Sequence, residues 1–85
     1  MKFEIIITSP PDRERLVAEI YYENMFWAKI SKETVGQSYI IQFYPHPKNQ
    51  CWEFELDMAL RAIVKAKKDL ENLDSPGNNK SWELP

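Results

Sequence analysis

Apolar and polar residues alternate over residues 1–8, where Phe3, Ile5 and Ile7 face one way and Lys2, Glu4 and Thr8 the other. That period of two predicts a β-strand, with Ile6 as the one break in the pattern. Ser9-Pro10-Pro11-Asp12 stops it, because proline cannot donate to a ladder and stiffens the chain. Alternation resumes over residues 16–22, with Leu16, Ala18, Ile20 and Tyr22 on one face, and again over 25–31, with Phe26, Ala28 and Ile30 together. Only Glu23-Asn24 separates these two runs, so they read as a hairpin. Asn tolerates positive φ better than Glu, which makes this turn weaker than Asn-Gly. Residues 32–36 form the next connection, with Gly36 free to take positive φ. The fourth strand, residues 38–44, sets Tyr39, Ile41 and Phe43 against Ile40, Gln42 and Tyr44.

After a loop with two prolines, Pro45 to Gln50, the period changes. Leu56, Ala59, Leu60, Ile63, Ala66, Leu70 and Leu73 recur at helical spacing, and Arg61, Lys65, Lys67, Lys68 and Asp69 lie mostly off that stripe. Glu55 or Asp57 places a carboxylate at the first turn, where the helix dipole favours it. The expected order is four strands and a helix: an α+β fold, a four-stranded antiparallel meander with one C-terminal amphipathic helix packed on one face. Residues 1–74 form the single domain and residues 75–85 a flexible C-terminal tail, from which Trp82 and Leu84 can fold back.

One helix covers one face of such a sheet. Phe3, Ile5, Ile7, Leu16, Ala18, Ile20, Phe26, Ala28, Ile30, Tyr39, Ile41 and Phe43 are assigned inward. The other face should be polar. Lys2, Glu4, Glu19, Lys29 and Gln42 comply, while Ile6, Val17, Tyr21, Met25, Trp27, Ile40 and Tyr44 do not. Aromatic and methionine side chains ringed by charge have the composition of an interface core. Two other readings remain: cover by Trp52, the tail or a loop, and a one-residue register shift that moves a strand's residues between faces. Trp52, just before the helix, is assigned as a lid over the end of the sheet.

Eighty-five residues make one domain, and 44% hydrophobic with 28% charged residues is a globular balance. Eleven Lys and Arg against thirteen Asp and Glu give a net charge of −2, which argues against a basic nucleic-acid face. The aromatic hairpin around Tyr22, Phe26 and Trp27 suggests base stacking. However, Glu19, Glu23 and Glu33 offset Lys29 and Lys32, leaving no positive field. No apolar run approaches the roughly 20 residues of a membrane span. Residues 1–4 show no signal-peptide core, so the expected compartment is the cytoplasm and no membrane partner is expected. Cys51 and His46 are the sole residues of their kinds, which supports neither a disulfide framework nor a zinc site. Two glycines cannot build a phosphate loop. Glu53, Glu55 and Asp57 read as solvated residues at the helix start. Catalytic residues, cofactors and metals are therefore expected to be none, and the chain is read as non-enzymatic.

Three segments together resemble a known group. They are Leu16-Val17-Ala18-Glu19-Ile20-Tyr21-Tyr22 with Phe26-Trp27-Ala28-Lys29-Ile30-Ser31-Lys32-Glu33, then Tyr39-Ile40-Ile41-Gln42-Phe43-Tyr44-Pro45, then Trp52-Glu53-Phe54-Glu55-Leu56-Asp57 running into the helix. Residues 16–73 resemble small uncharacterised bacterial proteins, some of them immunity proteins of polymorphic-toxin and contact-dependent growth-inhibition systems. The resemblance implies stoichiometric inhibition of a cognate toxin domain by binding, and it carries no catalytic residues across. Tyr21, Met25, Trp27, Ile40 and Tyr44 are the candidate contact cluster, with Glu4, Glu19 and Glu23 steering a basic partner. The alternatives are a homodimer formed through the exposed sheet face and, from another class, a small enzyme or single-strand binder.

Overall fold

A computed structural model describes residues 2–9, 15–32 and 38–74. It contains β1 (Phe3–Thr8), β2 (Val17–Tyr22), β3 (Met25–Lys32), β4 (Tyr39–Phe43) and α1 (Leu56–Asp74). The strands form one antiparallel sheet in the order β1-β2-β3-β4, and α1 packs on it against β2 and β1. The fold is therefore the α+β meander with one helix, and each expected element lies within two residues of its observed bounds. Expectations for residues 10–14, the turn through Gly36 and the tail with Trp82 and Leu84 lie outside the described residues.

The hairpin closes on Glu23 and Asn24, with φ of 48° and 68°. Two successive positive φ values make the two-residue turn whose twist suits antiparallel strands. Glutamate accepts that geometry at a cost of about 1 kcal/mol. Glu23 is also held from outside the turn: its N–H donates to the Lys2 carbonyl at 3.1 Å, and its carboxylate meets the Lys2 ammonium at 3.1 Å. That partner holds the Lys2 ammonium above its ordinary pKa, chiefly by the hydrogen bond. The pair is exposed and contributes little. Replacing Glu23-Asn24 by Asn-Gly should therefore raise stability by about 1 kcal/mol. Calorimetry should show a melting point higher by about 4–8 °C; an unchanged or lower value would mean that the Lys2 pair outweighs the relief of strain.

The β2–β3 register holds one surprise. Ile20 pairs with Ala28 but Tyr21 pairs with Phe26, so Trp27 is the extra residue of a β-bulge. A bulge admits one residue without a partner and resets which side the following residues face. Trp27 and Ala28 both turn inward, Phe26 turns outward, and Met25 turns inward opposite Tyr22. This corrects the expected parity at three positions: Phe26 is not core, and Met25 and Trp27 are not on the open face. Trp27 is 6% exposed, with ring centroids 5.5 Å from Phe3 and 4.9 Å from Phe54.

The core joins Phe3, Ala18, Ile20, Trp27, Ala28 and Ile30 of the sheet to Ala62, Ala66 and Leu70 of α1. The helix thus seats on its alanines, whose small side chains let it approach the sheet closely. Leu56, Leu60 and Leu73, expected within the buried stripe, are exposed instead. At the start of α1, the Glu55 carbonyl accepts from Ala59 N–H at 3.1 Å and its Oε1 accepts from Met58 N–H at 3.2 Å. Glu55 therefore caps the helix, with Asp57 also in the first turn.

Candidate protein-binding face

The face opposite α1 is built from three rungs that run across the strands. In the middle rung Ile6, Glu19, Lys29 and Gln42 stand side by side. Glu19 beside Lys29 is an opposite-charge cross-strand pair, the favourable arrangement for a solvated sheet. In the rung toward β1's end Thr8 pairs with Val17, and Ser31 pairs with Ile40. Val17 is 0% exposed and Ser31 3%, so the centre of that rung is closed to a partner, although Val17 belongs by parity to the outer face.

The rung nearest the hairpin turn is aromatic. Glu4 stands opposite Tyr21, and Tyr21 opposite Phe26. The Tyr21 and Phe26 rings stack at 5.1 Å with 25° between planes, and Phe26 and Tyr44 stack at 4.4 Å with 24°. Offset stacks of this kind contribute roughly 0.5–1.5 kcal/mol beyond buried area. The three half-buried rings form one flat strip across β2, β3 and the residue after β4. The bulge is what completes the strip, because without it Trp27 rather than Phe26 would fill the middle place.

Tyr44 is held where it leaves the sheet. Its N–H donates to the Trp27 carbonyl at 2.9 Å, and its own carbonyl accepts the Trp52 indole N–H at 2.9 Å. Trp52 also lies 4.5 Å from the His46 ring and 5.6 Å from Phe54, and it packs against the core as the sequence suggested for a lid.

Carboxylates border the strip. Tyr21 Oη donates to Glu19 Oε1 at 2.9 Å. The phenol is held above its ordinary pKa of 10.0, first by burial, then by Glu19 as acceptor and negative neighbour, and also by the charge of Glu4. The folded state therefore holds this proton more tightly than the unfolded chain. Its contribution to stability is fully present below about pH 10 and is lost as pH rises through the raised value. Changing Glu19 to Gln should move the Tyr21 midpoint back toward 10 in an NMR titration of its ring carbon; a midpoint that stays put would leave burial and the charge of Glu4 as the causes.

Of the residues selected from sequence, Tyr21, Tyr44, Ile40, Glu4 and Glu19 lie on this face. Phe26 was missed, because alternation placed it in the core. Glu23 sits in the turn and is engaged by Lys2. Met25 lines a cleft of about 400 Å³ on the other side of the hairpin, with Tyr22, Glu23, His46, Cys51 and Trp52 among its walls. His46 Nδ1 accepts the Lys48 N–H at 3.0 Å. Among the described residues, no group of three or more His, Cys, Asp or Glu could hold a metal ion. No helix among them is long and apolar enough to cross a membrane.

Compared with protein-family models, with curated proteins and with solved structures, the chain finds no match.

Proposed function

We propose that this chain is a non-enzymatic protein-binding module, an immunity protein that binds and neutralises a cognate bacterial toxin domain in the cytoplasm. The observation that carries the binding role is the stacked strip of Tyr21, Phe26 and Tyr44 on the sheet face opposite α1, which no helix among the described residues covers. Rigid aromatic side chains lose little freedom on binding and dominate interface energetics. Here they are already held flat, so ordering them costs a partner little. Glu4 and Glu19 at the margin suit a basic partner and speed its approach. The toxin as that partner follows from the resemblance of residues 16–73.

Expression together with the toxin-domain gene expected immediately upstream provides the test. Growth should be rescued, and the two chains should co-purify in equal amounts. Growth arrest despite folded, abundant protein would count against immunity. Co-purification without rescue would leave a binding module of another role.

A further inference from the structure

The two edges of the sheet differ. β1 carries exposed Glu4 within the strand and Lys2 just before it. β4 reads Tyr39-Ile40-Ile41-Gln42-Phe43, with no charge and no proline, and no bulge interrupts its pairing with β3. Proteins that stay single guard their edges with charge, proline or a bulge, because an open row of N–H and C=O groups accepts another strand. Tyr44 N–H points to β3. In an antiparallel ladder every second residue points the same way, so Gln42 and Ile40 do too, and the backbone groups of Ile41 and Phe43 point outward.

The side chains at this edge are also incompletely covered. α1 lies against β2 and β1, which leaves Phe43 58% exposed beside Trp27 at 5.5 Å. An apolar groove of about 200 Å³ runs between the helix and the edge, walled by Ile30, Tyr39, Ile41, Ile63, Val64 and Lys67.

We propose that a second copy of this chain adds to β4, antiparallel, with Ile41 on the two-fold axis. The strand matches itself under that operation. Ile41 meets its counterpart as a pair exchanging both backbone hydrogen bonds, Phe43 comes opposite Tyr39, and Ile40 opposite Gln42. Aromatic cross-strand pairs are among the favourable ones. Charge follows the same symmetry. The Tyr39 end carries Lys32 and Lys67, whose ammonium groups lie 5.5 and 5.1 Å from its ring. The Phe43 end adjoins the Trp27 ring, 5.5 Å away, and β4 itself carries no charge there. An antiparallel two-fold sets the two lysine-bearing Tyr39 ends at opposite ends of the shared edge, whereas a parallel addition would set these like charges side by side. The product is a continuous eight-stranded sheet with both aromatic strips on one side, so the dimer leaves the proposed toxin-binding face open.

Sedimentation equilibrium over a hundredfold concentration range tests this on the full chain, with hydrogen exchange as a second readout. The mass should rise from one chain toward two, and the Ile41 and Phe43 amides should gain protection as it does. Phe43→Lys, a charge placed on the free edge, should weaken the dimer at least about tenfold. Should that variant fail to fold, the exchange of the unaltered chain still decides. A single chain at every concentration overturns the proposal. So does a dimer in which Ile41 and Phe43 exchange freely, which would place the contact on the sheet face. Protection of those two amides that is independent of concentration also overturns it, since the edge would then be covered within one chain.

Discussion

Changing Trp27 to Ala should remove about 3–5 kcal/mol of unfolding free energy, the largest single loss expected in this chain. The ring is 6% exposed and lies within 5.5 Å of Phe3, Phe43 and Phe54, so its removal leaves a cavity that three other rings line. Domains of this size have total stabilities in the range of about 5–15 kcal/mol. The loss is thus about a fifth to the whole of the total, and with a total at the low end of that range the variant should be partly unfolded at room temperature. Urea denaturation followed by circular dichroism measures the loss, and Trp27→Phe should recover most of it. A loss under about 1 kcal/mol would place the ring at the surface and remove the bulge from the account.

Changing Phe26 to Ala should act in the opposite sense, on binding far more than on folding. Phe26 is half-buried and is the middle ring of the strip, so its removal breaks both stacks at once. At a central aromatic anchor the expected loss of affinity is at least about 2 kcal/mol, roughly thirtyfold, for the cognate toxin. Tyr44→Ala should do nearly as much, and Glu4→Lys should slow association more than it speeds dissociation. Calorimetric titration with the toxin domain, beside urea midpoints for each variant, separates the two kinds of effect. If Phe26→Ala binds as tightly as the unaltered chain, the strip is not the contact and the proposed face is wrong.

These two neighbours also mark where sequence reasoning succeeded and where it failed. Alternation and turn residues were enough to locate every strand and the hairpin, because each strand is half-buried and its period survives in the choice of residues. Alternation says nothing about an inserted residue. Phe26 and Trp27 are both large and aromatic, so shifting the parity by one leaves the pattern as plausible as before. The only signal of the bulge was an excess: two adjacent aromatics where a half-wet strand needs one. The helix misled in a related way. Leucines dominate any hydrophobic stripe, yet α1 seats on Ala62 and Ala66 and turns Leu56 and Leu60 outward. Sequence weights the size of a side chain, whereas close helix–sheet packing rewards its absence. On the candidate face, Tyr21, Tyr44, Ile40, Glu4 and Glu19 were legible because β1, β2 and β4 keep their alternation and the extra residue lies in β3. The ion pair of Glu23 with Lys2 was not legible, because Lys2 is distant in sequence and close only once β1 lies beside the hairpin.

Trp52 gives the molecule a use of a different sort. Its indole donates to the very carbonyl that anchors Tyr44, with the His46 ring 4.5 Å away. Indole emission responds to the hydrogen bonding and packing of the ring, and both are set here by residues beside the strip. The chain therefore carries an intrinsic fluorophore one residue's backbone from its candidate contact strip, where it can register the arrival of a partner without any attached dye.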